Sequence, residues 1–159
     1  MATSIREATS NDLPRLIELL YESDILHWNA LPDHFDIPGE PARAEDYVNQ
    51  LLDEENGVIL VAERDEVVVG LVQLAVFDER SGPYRRKRPY AAIGDLIVAS
   101  EHRRAGVGRL LMAAAQDWAE ERGADEIELT VWDFNRAATA LYESLGYQTT
   151  RHIMSKVLE

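Results

Sequence analysis

In the N-terminal third of the chain, the spacing of the hydrophobic residues changes from that of a strand to that of a helix. Residues 4–8 fit a short strand, and Ser10 or Asn11 can cap the helix that follows. The apolar residues of this first helix recur at helical spacing and are Leu13, Leu16, Ile17 and Leu20. A second helix is predicted over residues 42–55, before Asn56-Gly57. Its expected inner face consists of Tyr47, Val48, Leu51 and Leu52.

Between these helices, residues 28–41 mix aromatic side chains with three prolines and a glycine. That composition is typical of a loop or a broken helix. The middle of the chain then predicts strands. GVILVAER and EVVVGLVQLAVFDE form two β-rich runs, and the polar residues 64–66 between them indicate a hairpin. After a basic loop, the apolar run in YAAIGDLIVAS is typical of a buried strand.

The C-terminal part alternates between helices and strands. A helix is predicted from Val107 onward, with Gly123 as its C-terminal cap. The apolar stripe expected to face the sheet consists of Val107, Leu110, Leu111, Ala114 and Trp118. Alternation predicts a strand over residues 126–131, and residues 135–144 fit a short helix. The segment HIMSKVL fits a closing strand.

This order of elements predicts an α/β fold in which a mixed sheet is flanked by helices. No repeat or linker divides residues 1–159, so we expect a single domain. A composition of 46% hydrophobic and 28% charged residues fits a packed globular protein. No apolar run approaches the roughly 20 residues that span a bilayer, and the N-terminus lacks a secretory pattern. We therefore expect a cytoplasmic location.

Charge and residue types narrow the function classes. The formal net charge of -13 disfavours binding to nucleic acid or an anionic membrane and weakly favours a cationic partner, although acidity can also serve solubility alone. The chain has no cysteine, which excludes disulfides and catalysis by sulfur. We expect no metal, because the histidines lack ligand partners at recognised spacing. These residues are His27, His34, His102 and His152.

The segment LIVASEHRRAGVGRLL carries the clearest chemical signal, because a predicted strand leads through a short turn into a helix that opens with two glycines. Free N–H groups at a helix start, together with the positive end of the helix dipole, can bind a phosphate or pyrophosphate. Gly106 and Gly108 leave room for a ligand, while Arg103, Arg104 and Arg109 add positive charge. A plain strand-to-helix turn with solvated arginines is the alternative. The Walker and dinucleotide patterns are both absent.

Arg103-Arg104-Ala105-Gly106-Val107-Gly108 resembles the acetyl-CoA signature of the GNAT (GCN5-related N-acetyltransferase) family, Arg/Gln-x-x-Gly-x-Gly/Ala. Further along, Asn135-Arg136-Ala137-Ala138 and the residues from Leu141 to Tyr147 resemble its second signature. The resemblance extends from about Val58 to the end of the chain. It implies the GNAT fold and an enzyme that transfers an acetyl group from acetyl-CoA to an amine.

The resemblance also implies where acetyl-CoA binds. The pyrophosphate is expected at the loop and helix start formed by Arg104, Ala105, Gly106, Val107, Gly108 and Arg109. The pantetheine arm is expected beside Leu96, Ile97 and Val98, between this strand and one that ends near Trp132. The N–H near Val98 is expected to stabilise the oxyanion of a tetrahedral intermediate. Asn135 contacts the pantetheine arm or caps the following helix, and both readings stay open.

Two residues are catalytic candidates on the same basis. Tyr142 matches the family's donor of a proton to the CoA thiolate, although a tyrosine near a helix end also commonly serves packing. Asp95 resembles an acidic position that draws the amine proton through water, or it is a satisfied structural acid. His27, Trp28 and Phe35 either line the acceptor pocket or fill the core. The basic run of residues 85–88 contacts the 3'-phosphate of CoA or is simply solvated.

The identity of the amine acceptor follows less directly from the sequence. A small, cationic primary amine is the leading expectation. A protein N-terminus or lysine, an acyl chain longer than acetyl, and a non-catalytic acyl-CoA sensor are alternatives, and Tyr142 argues against the sensor. Homodimers are common among proteins that resemble this one, often through the C-terminal strands, so a homodimer is a further possibility.

Overall fold

The computed structural model describes residues 2–36 and 39–159. Five strands form one sheet in sequence order, in which the first four are antiparallel and the last is parallel to its neighbour. The strands are β1 (Ser4–Glu7), β2 (Gly57–Arg64), β3 (Val67–Phe77), β4 (Tyr90–Val98) and β5 (Glu126–Leu129). The helices are α1 (Leu13–Ala30), α2 (Glu45–Leu52), α3 (Val107–Glu121) and α4 (Arg136–Ser144). The predicted α/β class and mixed sheet are confirmed.

Helices cover both faces of this sheet. On one face, Leu16 of α1 and Val48 of α2 pack against alternate residues of β2 such as Val61. On the other face, Leu111 of α3 packs in a cluster that contains Leu60 of β2. Strands buried on both faces need continuous apolar sequence, which explains the long apolar runs of β2 and β3. Truncating a fully buried leucine such as Leu111 to alanine costs about 2–5 kcal/mol.

The predicted hairpin is present between β2 and β3. Asp65 and Glu66 both have positive φ, at 48° and 65°. A two-residue loop with two positive φ angles matches the right-handed twist of the flanking strands. The polar residues between two apolar runs were therefore a correct signal for the turn.

Several predicted boundaries and faces differ from the structure. Helix α1 continues to Ala30, so Trp28 lies in a helix and the loop starts only at Leu31. Residues 37 and 38 of the predicted loop lie outside the described residues. Tyr47 is 38% exposed rather than on the inner face, and Leu110 of α3 is 44% exposed. The buried stripe of α3 runs through Val107, Leu111, Met112, Ala115, Trp118 and Ala119.

The predicted closing strand is wrong. Residues 148–159 form no strand, and they make no backbone hydrogen bond with the described part of the chain. The large apolar side chains in this tail are 85–91% exposed: Ile153, Met154, Val157 and Leu158. Local alternation favours an extended conformation, but a strand also needs a neighbour, and β5 is paired on one side only.

Among the described residues, no helix has the length and apolarity needed to cross a membrane.

Candidate active site

A gap between β4 and β5 is the central feature of the site. The two strands pair only over Tyr90–Ile93 and Glu126–Leu129, whereas β4 continues to Val98. The pairing ends beside a bulge at Gly94, where a Cβ atom would collide with Oε1 of Gln73. The last five residues of β4 therefore lack a strand neighbour on the β5 side within the described chain. This divergence agrees with the splay that the resemblance implied.

Backbone donors of β4 point into this gap. The N–H of Ala99 donates to the carbonyl of Val69 on β3, at 2.9 Å. Because N–H groups alternate sides along an extended chain, those of Leu96 and Val98 point away from β3 and toward the gap. The side chain of Ile97 is buried in the cluster beneath α1 and α2, and by the same alternation its N–H points toward β3, so Ile97 offers no donor to the gap.

The loop after β4 leads into α3 through two left-handed residues, Arg104 (φ 61°) and Gly106 (φ 82°). A Cβ atom on Gly106 would meet nothing within 4 Å, so its conformation rather than crowding favours glycine. The first intrahelical bond runs from the N–H of Leu110 to the carbonyl of Gly106. The N–H groups of the helical residues before Leu110 have no carbonyl acceptor in a preceding helical turn. They can therefore donate hydrogen bonds to a bound anion.

Only one of the three predicted arginines is free of polar partners within residues 2–36 and 39–159. Arg103 donates to the carbonyl of Val98 at 3.0 Å and to Glu22 of α1 at 3.1 Å. Arg109 donates to the Ser144 hydroxyl at 2.7 Å. Arg104 is exposed. Glu22 was not foreseen from the sequence, and it also accepts the N–H of Ser100, so it connects α1 to this loop.

Tyr142 of α4 is half-buried, and its ring lies 5.9 Å from that of Tyr147. Burial raises the pKa of Tyr142 to about 12, and the charges of Tyr147 and Asp95 act in the same direction. The phenol therefore holds its proton at neutral pH, as a proton donor must until a base forms beside it.

Asp95 is engaged in an ion pair. Its Oδ1 accepts a hydrogen bond from Nη1 of Arg43 at 2.8 Å, and its side chain is only 14% exposed. This contact favours the satisfied-acid alternative, while a role as proton acceptor stays a prediction. Arg43 was not foreseen, because the pair joins positions 52 residues apart and no local pattern marks it.

Aromatic side chains connect the end of α1 with the segment after β5. His27 lies 5.9 Å from Phe35 and 5.5 Å from Phe134, between ring centroids, and Phe35 lies 5.2 Å from Trp132. The structure thus brings two of the three predicted pocket residues, His27 and Phe35, together beside the segment that follows β5. Trp28 takes part in no ring contact within the described residues, although it is half-buried on α1.

The remaining candidates have local partners. Oδ1 of Asn135 accepts the N–H of Ala138 at 3.2 Å, so Asn135 caps α4. Its contact with a pantetheine arm stays a prediction. In the basic run, Lys87 pairs with Glu79 at 3.2 Å, and Arg88 lies 3.8 Å from Glu126. Within the described ranges, no group of three or more histidine and acidic side chains could hold a metal ion.

A gap in a mixed sheet, a helix start with free N–H groups and a half-buried tyrosine are the features that the resemblance led us to expect of an acyl-CoA-dependent transferase. The chain matches the model of the Acetyltransferase (GNAT) family over residues 20–147. It therefore belongs to this family, and the expected enzyme class, an acetyltransferase, is confirmed.

Individual relatives agree with this assignment. The uncharacterized N-acetyltransferase YhfO of Bacillus subtilis is 30% identical over 146 residues, which cover 91% of this chain and 89% of YhfO. Human N-acetyltransferase 8 is 33% identical over 105 residues, covering 66% of this chain but only 44% of that protein. The crystal structure of a mutant BH1408 protein from Bacillus halodurans superimposes with a TM-score of 0.92 at 28% identity, covering 98% of this chain and 99% of that one.

Proposed function

We propose that this chain transfers the acetyl group of acetyl-CoA directly to a primary amine. The observation that carries the proposal is the gap where β4 extends beyond β5. Gly108 at the start of α3 lies close both to Val98 of β4 and to Leu141, which directly precedes Tyr142. A pantetheine arm in this gap would hydrogen-bond to the backbone of Leu96 and Val98 as a strand neighbour does. The pyrophosphate would bind the N–H groups of residues 104–109.

The chemistry follows from these positions. The lone pair of a neutral amine attacks the thioester carbonyl, and the N–H of Val98 stabilises the resulting oxyanion. As the intermediate collapses, the C–S bond breaks, and the thiolate takes the proton of Tyr142. The new amide nitrogen releases its extra proton to solvent, and the tyrosinate recovers a proton from solvent. No covalent enzyme intermediate is needed.

A small, cationic amine is the acceptor that the charges favour. The net charge is -13, and Asp24 and Asp95 place two carboxylates near the gap against one guanidinium, that of Arg43. A protein N-terminus or a lysine side chain could be the acceptor instead, and the acyl group could be longer than acetyl. Each alternative would follow the same reaction steps but would need a pocket of a different shape. A non-catalytic sensor would bind acetyl-CoA without turnover.

Release of free thiol tests the proposal. Purified protein is mixed with acetyl-CoA and a panel of polyamines, amino acids, aminoglycosides and peptides, and a disulfide dye reports CoA; the chain has no cysteine to react with it. Turnover with one amine class is expected. Saturable acetyl-CoA binding without turnover for any amine would favour the sensor, and absence of binding would contradict the proposal.

We also propose a homodimer formed through the C-terminal tail. Residues 148–159 expose four large apolar side chains, and the outer edge of β5 is unpaired within the described chain. Nearby, a cavity of about 100 Å³ is lined by Met112, Ala113, Gln116, Leu145 and Tyr147. Sedimentation of the full chain and of a chain ending at Tyr147 tests this. A full-length monomer would contradict it.

The cellular setting is likewise a proposal. From the sequence we favour one domain over residues 1–159 and a cytoplasmic location, with which the lack of cysteines is compatible. Limited proteolysis tests the first, because a single domain should yield one resistant core. Cell fractionation tests the second.

A further inference from the structure

Arg43 joins α1 to β4 at the point where the gap opens. Its guanidinium donates to both carboxylate oxygens of Asp24, at 2.7 Å and 3.2 Å, and to the carbonyl of Leu20 at 3.3 Å. On the other side it donates to Asp95 at 2.8 Å. The side chains of Arg43, Asp24 and Asp95 are 21%, 28% and 14% exposed, so solvent screens these contacts only partly.

The contacts keep Arg43 positively charged. Burial alone would lower the pKa of Arg43, but the charges and hydrogen bonds of Asp95 and Asp24 outweigh it and raise the pKa above its usual value. Arg43 therefore stays cationic, and its guanidinium occupies an oxygen of each carboxylate that would otherwise be open to another hydrogen-bond donor. Removing the guanidinium would leave two partly buried carboxylates facing each other without a counter-charge.

The cluster lies beside the reacting groups. Asp95 directly precedes Leu96, whose N–H points into the gap, and its charge acts on the Tyr142 phenol. When a neutral amine attacks the thioester, its nitrogen becomes positively charged before it loses a proton. A fixed negative charge at this place stabilises that nitrogen through the electrostatic preorganisation that lowers barriers in other acyl transfers.

We propose that Arg43 is a positioning residue which holds the Asp95 carboxylate fixed where the gap opens, so that Asp95 stabilises the positive charge on the attacking nitrogen and does not accept its proton. This inference rests on the proposed acetyl transfer. It differs from the expectation that Asp95 draws the amine proton through water, because it predicts a different dependence of rate on pH.

The pH profile separates the two roles, with acetyl-CoA and spermidine as probes. Asp95→Asn should lower kcat/KM about tenfold at every pH and keep the shape of the profile, because only the acceptor amine titrates. Arg43→Met should add an ionisation on the acidic side of the pH profile, because it leaves the carboxylates unpaired. Arg43→Lys should largely prevent this added ionisation. The double variant Arg43→Met, Asp95→Asn should remove it. Loss of the wild-type acidic limb in Asp95→Asn would overturn the proposal.

A second readout does not depend on turnover. Global labelling with 3-fluorotyrosine makes the phenols more acidic, and the ¹⁹F resonance missing in Tyr142→Phe identifies Tyr142 among the six tyrosines. Its titration midpoint should fall in Asp95→Asn and rise in Arg43→Met. An unchanged midpoint in both variants would overturn the proposal, even if spermidine is not an acceptor. Calorimetry with acetyl-CoA should give wild-type affinity for Asp95→Asn, whereas failure of the wild type to bind would contradict the proposed function instead.

Discussion

Gly108 of α3 lies against Leu141 of α4 so closely that a Cβ atom on Gly108 would come within 3.2 Å of Cδ2 of Leu141. The first residue belongs to the glycine motif after β4, and the second directly precedes Tyr142. The helix start that offers N–H groups and the helix that carries the phenol are thus in direct contact. A Cβ atom at position 108 would require the side chain of Leu141 to move by a few tenths of an ångström.

Gly108→Ala should therefore affect both stability and rate. Overpacking at a close contact costs about 1–3 kcal/mol, of which roughly 1 kcal/mol is recovered because alanine favours the helix. We expect a lower urea midpoint together with a lower kcat, since Leu141 directly precedes Tyr142. Gly123→Ala at the C-terminal end of α3 is the matched control, because it strains a positive φ without a clash, lies outside the segment expected to bind acetyl-CoA and should leave kcat less affected. A fully active Gly108→Ala would show that the contact can relax freely.

Tyr142→Phe should lower kcat by on the order of a hundredfold, which is a typical contribution of a positioned general acid. The substitution keeps the ring, so the dissociation constant for acetyl-CoA should change less than about twofold. Thiol release and calorimetry measure these two quantities. Tyr147→Phe is the control, since its ring packs beside Tyr142 but its hydroxyl has no assigned role. Equal losses in the two variants would argue for packing instead.

Stability should fall at alkaline pH. Burial raises the pKa of Tyr142 and of Tyr147 from 10.0 to about 12. The folded state thus keeps these protons while the unfolded state loses them, so stability is complete below pH 10 and is lost as pH rises toward 12. The free energy of unfolding, measured by urea denaturation, should fall between about pH 9 and about pH 11. This fall should be roughly 1 kcal/mol smaller in Tyr147→Phe than in the wild type. An identical loss would place the effect elsewhere.

Asp12 should contribute to the stability of the folded state, and this contribution should be lost at acidic pH. Its carboxylate accepts two hydrogen bonds from Arg6 and one from the N–H of Thr9, and the Arg6 contacts chiefly lower its pKa. This stability is present above the unfolded pKa and is lost as pH falls through the lower folded pKa. Asp12→Asn should cost about 1 kcal/mol at pH 7, since Arg6 is partly exposed, and less below about pH 3. Exposed Asp117→Asn, as the control, should change little.

Sequence reasoning succeeded where the signal was local. Periodicity located every strand of the sheet and the four helices, and the motif around Gly106 marked the start of α3. It failed where the answer depends on distant partners. Leu110 fits the stripe of α3 by spacing alone, yet the surface it meets leaves it exposed and buries Met112. The ion pair of Arg43 with Asp95 and the unpaired tail are decided by three-dimensional neighbours that no window of sequence contains.

The early end of the β4–β5 ladder means that part of the hydrogen-bonding capacity of the sheet must be met from outside the chain. A cofactor that lies there would contribute to the folding free energy as well as to the reaction, adding about 2.7 kcal/mol at a concentration a hundredfold above its dissociation constant. The resistance of the protein to unfolding and proteolysis inside a cell would then rise and fall with the supply of acetyl-CoA, so that its abundance reports on metabolism.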